Sequence, residues 1–134
     1  MGSRATGPFD VKISPQQAYN TDQTALLARM SIDKQFHSDL EATSKGEMLT
    51  AGSTVQGSAA YVAIERVTGK LHGRNGSFAL QHTGTMNRGT PSLVITVVPD
   101  SGTGDLEGLS GTMSIEIVSG KHSYVFDYSL PDGR

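Results

Sequence analysis

His82 stands in the run Phe78-Ala79-Leu80-Gln81-His82-Thr83-Gly84-Thr85-Met86. Alternate residues of a strand point to opposite sides, so its imidazole shares one face with Phe78, Leu80 and Met86. An imidazole among apolar side chains is either hydrogen-bonded and structural, or it lines a cavity inside a curved sheet and touches a ligand. Buried without a partner its charged form is disfavoured, so a working His82 is expected to be neutral, able to accept a proton or donate a hydrogen bond. Glu65 is the second candidate. It shares a face with Tyr61, Ala63 and Val67, while Ala60, Val62 and Ile64 take the other face, and parity alone does not say which looks inward. With the Tyr61 side inward, Glu65 is a buried acid with a raised pKa, suited to moving protons; with the other side inward, it is a solvated charge at a rim. The candidate catalytic set is therefore His82, Glu65 and Tyr61, and the chemistry is proton transfer or stabilisation of developing charge.

Other chemistries find little support. The histidines His37, His72, His82 and His122 are scattered without metal-ligand spacing, and there is no cysteine, so neither a metal site nor a thiol nucleophile is expected. The loop Gly102-Thr103-Gly104-Asp105-Leu106-Glu107-Gly108 has the glycines of a phosphate cradle at the wrong spacing, and its two carboxylates would repel phosphate, so no nucleotide cofactor is expected. No strained glycine-serine-glycine elbow exposes a serine. With 11 basic and 13 acidic residues the net charge is −2, which gives no field to gather nucleic acid or anionic lipid.

The elements that position the candidates read as strands. Period-two alternation or short apolar runs mark residues 9–13, 26–36, 40–49, 54–67, 78–86, 93–98, 112–117 and 122–130, with no convincing helix and with 16 glycines for turns and bulges. Pro15 is expected to end the first strand, and Asn75-Gly76 to make a hairpin turn after the strand 54–67. Small residues in 40–49 suggest close packing or a bend. The run 93–98 is apolar on both faces, as in a strand covered on both sides by another element or another subunit. Eight strands at regular spacing in 134 residues predict one all-β domain over 1–134, a closed antiparallel barrel or a sandwich. Within it Met30, Ile32, Phe78, Leu80, Ile115 and Phe126 are candidate ligand-binding walls, and Tyr124, on an aromatic stripe with Phe126 and Tyr128, is a candidate orienting residue.

Two segments carry a resemblance. Lys34-Gln35-Phe36-His37-Ser38-Asp39-Leu40-Glu41-Ala42 within 29–49, and Gly69-Lys70-Leu71-His72-Gly73-Arg74-Asn75-Gly76 within 65–78, are similar to an uncharacterised family of small bacterial proteins. That likeness covers nearly the whole chain. The family has the barrel fold named after allene oxide cyclase, and the glycine-rich stretch 102–111 resembles that cyclase and dirigent proteins. The resemblance implies a closed antiparallel eight-stranded barrel, often assembled into oligomers, with a pocket running into its interior. It transfers no functional residue. The function expected from it is binding of a small apolar or amphipathic molecule, with cyclisation or isomerisation as the candidate reaction. The rivals are a non-catalytic carrier or sensor, and a scaffold working through its outer surface. A homo-oligomer is expected, a dimer first, with Val94 and Val98 in the contact. No stretch has the length and apolarity of a membrane span, and none reads as a leader, so the chain is expected in the cytoplasm.

Overall fold

Two-residue turns set the meander. His72-Gly73, Arg88-Gly89 and Ser119-Gly120 each place both residues at positive φ, at 47° and 82°, 48° and 90°, and 52° and 78° respectively. That is the turn whose twist matches the flanking strands, and glycine in second position keeps the strain to one residue. In the computed structural model, which describes residues 2–131, these turns help join eight strands: β1 (Gly2–Gln16), β2 (Leu27–Phe36), β3 (Leu40–Ala51), β4 (Ala59–Leu71), β5 (Arg74–Asn87), β6 (Thr90–Val97), β7 (Ser110–Val118) and β8 (Lys121–Ser129). Each pairs antiparallel with its sequence neighbour, and β1 pairs with β8 to close a barrel. A sandwich is thereby excluded. Residue 1 and residues 132–134 of the expected domain lie outside the described residues.

Three differences from the sequence reading have a structural cause. β1 is much longer than 9–13, because Gly2 to Phe9 pairs with β8 and Phe9 to Gln16 pairs with β2. Past Phe9 it has a ladder on one side only, a position that tolerates Pro15. β4 begins at Ala59 rather than at residue 54. Gly57, at φ 79°, turns the preceding segment into a loop whose carbonyl accepts from Gly89 N–H at 3.0 Å, while Ser58 Oγ accepts from Arg88 N–H. The expected turn at Asn75-Gly76 is inside β5, paired with Lys70 and Gly69, because His72-Gly73 already reverses the chain. On β6, Ile95 and Val97 face the core, whereas Val94 faces outward at 56% exposure. Among the described residues, therefore, no element supplies the cover expected on the outer face of 93–98 at Val94.

One end of the barrel is filled. Phe36, Leu40, Leu71, Phe78, Leu80, Phe126 and Tyr128 pack into it. Phe78 stacks on Phe126 with centroids 5.6 Å apart, and Phe126 on Tyr128 at 5.4 Å. The connection from β6 to β7 closes this end with buried Leu106 and Leu109. It is tied to β5 by Thr103 N–H to Ser77 O at 2.8 Å and by Ser77 N–H to Thr103 Oγ1 at 3.0 Å.

Candidate functional site

Alternation along β4 puts Tyr61, Ala63, Glu65 and Val67 inside and Ala60, Val62, Ile64 and Arg66 outside. The open question of parity is settled in favour of the Tyr61 side, and Glu65 is a wholly buried carboxyl. Strand register explains what surrounds it. Glu65 lies opposite Gly46 on β3 and Leu80 on β5, so its diagonal neighbours on the inner face are Ser44 and His82. Lys34 on β2 lies opposite Ser44. Gly46 leaves the space that the carboxyl and its partners use, so the small residues of β3 serve close packing.

All three neighbours bond to the carboxyl. Ser44 Oγ donates to Oε1 at 2.6 Å; Lys34 Nζ donates to Oε2 at 2.7 Å; His82 Nε2 lies 2.5 Å from Oε2. Lys34 Nζ also sits 5.3 Å from the centre of the Phe9 ring and 5.6 Å from that of Phe36. Burial by itself pushes the Glu65 carboxyl upward, but the His82 hydrogen bond, the charge and hydrogen bond of Lys34 and the Ser44 hydrogen bond outweigh it, bringing the pKa down to about 2. The raised pKa expected from burial is thus corrected. Glu65 is an anion at neutral pH, and its oxygens are engaged by Ser44, Lys34 and His82.

Tyr61 completes the group. Its hydroxyl lies 3.3 Å from His82 Nδ1. The ring reaches it by lying across Gly84, where any Cβ would come 2.4 Å from Tyr61 Cε1. In the tautomer that carries its proton on Nε2, the imidazole donates to Oε2 and leaves Nδ1 to accept from Tyr61. Burial, and then the Glu65 charge, push the Tyr61 phenol above its ordinary value, so it keeps its proton. Among the described residues no buried side-chain nitrogen or oxygen lacks a partner.

Above this floor the barrel is open. A chamber of about 190 Å³ is lined by Phe9, Val11, Ile13, Ile32, Lys34, Met48, Tyr61, His82, Leu93, Ile115, Ile117 and His122, so that all eight strands contribute. Ile13, Leu93 and Ile117 form its half-exposed rim. A cleft of about 350 Å³ adjoins it, lined by Thr50, Ala59, Ala60, Gly84, Thr85, Met86, Pro91 and Ser92, with Met48, Tyr61 and Leu93 common to both.

The structure therefore brings His82, Glu65 and Tyr61 together and sets Ile32 and Ile115 in the chamber wall. It does not bring the other candidates there. Phe78, Leu80 and Phe126 are packed in the core of the barrel. Met30, half-buried and opposite Met48, lines neither space. The Tyr124 hydroxyl accepts from Leu40 N–H at 2.8 Å and donates to His37 O at 2.7 Å, so it fastens the turn between β2 and β3. Lys34 and Ser44 were missed. The signal for Lys34 was present, since it stands on the same face of its strand as Met30, Ile32 and Phe36, where a buried cation demands an acid.

Comparison with known proteins follows the same outline. The model of a family described as a protein of unknown function (DUF3224) matches residues 5–128. The crystal structure, at 1.84 Å, of a protein with unknown function from the DUF3224 family of Shewanella oneidensis MR-1 is similar to this chain, with a TM-score of 0.92 and 51% identity, covering 98% of this chain and 99% of that one. Among curated proteins none matches.

Proposed function

The chain belongs to the DUF3224 family, and we propose that it holds a small, largely apolar molecule in the open half of its barrel and assists its isomerisation or cyclisation by proton transfer at His82, with Tyr61 stabilising the charge that develops. One observation carries this reading: a carboxylate-imidazole-phenol chain lies at the floor of a chamber whose walls are otherwise mostly apolar, with the phenol and imidazole among the lining groups. The hydroxyl held to Nδ1 at 3.3 Å swings readily to a substrate oxygen. In a ketone bound that way, the proton of the adjacent carbon passes to the vacated Nδ1, its C–H electron pair enters the enolate, and the Tyr61 O–H stabilises the oxygen. The imidazolium, still bonded through Nε2 to Glu65, then returns the proton at a different carbon. The reaction is redox-neutral and needs no co-reactant. Glu65 and Lys34 are positioning residues in it.

A six-carbon β,γ-unsaturated ketone tests this directly, because its conversion to the conjugated enone is read by absorbance. Saturable conversion that Tyr61→Phe slows about 100-fold supports the assignment. Saturable binding without conversion would replace it with a carrier. Conversion indifferent to Tyr61→Phe removes that residue from the chemistry.

A further inference from the structure

From the two spaces that meet at Tyr61 we infer that the ligand is an elongated amphipathic molecule, its polar head in the chamber and its apolar tail in the adjoining cleft. This rests on the function proposed above and names the class of molecule it concerns. The chamber, at about 190 Å³, is smaller than the roughly 300–1,000 Å³ typical of sites that enclose small molecules. The cleft contributes about 350 Å³ more and meets the chamber at Met48, Tyr61 and Leu93. The chemistry of the two spaces differs. Lys34, Tyr61, His82 and His122 are the polar side chains of the chamber. The walls peculiar to the cleft are alanine, methionine, proline, glycine and hydroxyl residues, with no ionisable group among them. A compact polar molecule would leave the cleft unused, and a purely apolar one would offer no polar group to the Lys34, Tyr61 and His82 side chains that line the chamber. Met48 is unbranched and adaptable, suited to a wall that a bent chain must pass.

Straight-chain methyl ketones from five carbons upward, titrated calorimetrically into the whole chain, test the assignment. Affinity is expected to rise about fourfold per methylene while the tail fills the cleft, and then to level off. Two variants act on the cleft alone: Met86→Gln, at an exposed position, and Ala59→Phe. The first should weaken long ketones at least tenfold and leave the shortest unchanged; the second should bring the plateau to a shorter chain. If the short ketones bind but neither variant changes the chain-length profile, the tail site is wrong and the chamber stands. Failure of every ketone to bind overturns the proposed function as well.

Discussion

The barrel sets a carboxylate, an imidazole and a tyrosine side by side twice, once with the tyrosine beside open space and once with the tyrosine packed in the core. At the open end, Glu65, His82 and Tyr61 run carboxylate, Nε2, Nδ1, hydroxyl. On the other side of the barrel, Asp39 Oδ2 lies 3.7 Å from His72 Nε2, and His72 Nδ1 bonds the Tyr128 hydroxyl at 2.5 Å. The groups and their order are alike, but Asp39 Oδ2 accepts from Thr6 N–H at 3.0 Å and stands too far from Nε2 for a hydrogen bond, and the surroundings are reversed. His72 and Asp39 sit on exposed turns, while the Tyr128 ring is stacked on Phe126 with the core around it. At the open end the carboxylate and imidazole are the buried partners, and the tyrosine borders empty space. On the proposed reading, what distinguishes a site from a fastening is not the presence of a histidine between a carboxylate and a phenol but a void beside the terminal oxygen.

The largest effect expected from this contrast is in packing. Phe126→Ala removes a ring held between Phe78 and Tyr128 and should cost about 4 kcal/mol in urea unfolding, because the surrounding core cannot collapse. Ile115→Ala, in a wall that already borders the chamber, should cost about 1–2 kcal/mol, since part of its surface has no close-packed neighbour to lose. Equal losses would mean that the two halves are packed alike.

The buried charges give the next effect. Replacing Glu65 by Gln leaves Lys34 without its counter-ion and is expected to cost about 3 kcal/mol; adding Lys34→Met should recover most of it, because a neutral amide beside an apolar side chain of similar volume tolerates burial better than a lone cation does. Acid titration examines the same group without mutation. The folded-state pKa of Glu65, about 2, lies below its ordinary 4.5. The carboxylate's contribution is therefore complete above pH 4.5 and is lost as pH falls toward 2, a change on the order of 3 kcal/mol. In Glu65→Gln the stability profile should be flatter across that window. A variant as acid-sensitive as the parent would show that other carboxylates dominate.

How much of this was legible in the sequence follows from what alternation encodes. Period two reports which residues share a face, so the eight strands and the company of Tyr61 with Glu65 could be read directly. It does not report how strands are staggered. The bond from Glu65 to His82 depends on Ala63 standing opposite His82, a register set by a turn at His72-Gly73 rather than the expected Asn75-Gly76. Nor does alternation report depth along the barrel axis. Phe78 and Phe126 have the same inward parity as Ile32 and Ile115, yet the first two stack in the core and the second two border the chamber. Lys34 shows the cost of treating polar residues on apolar faces singly. The buried lysine and the buried acid explain one another.

The smallest expected effect separates the two relays most sharply. Tyr128→Phe deletes a hydroxyl from a stacked ring and leaves only the half-exposed His72 to find water, so its cost should be about 1 kcal/mol. The proposed ketone binding and chemistry at Tyr61 should not change, because no part of Tyr128 lines the chamber. Tyr61→Phe should move stability less, since the hydroxyl makes one long bond at 3.3 Å beside open space, yet it should abolish most of the proton transfer. Measuring both variants by urea unfolding and by enone formation gives a crossed pattern if the void makes the site. A pattern in which Tyr128→Phe also slows the reaction would mean that the two relays communicate through the barrel wall, and free space beside Tyr61 would no longer suffice to explain where the chemistry occurs.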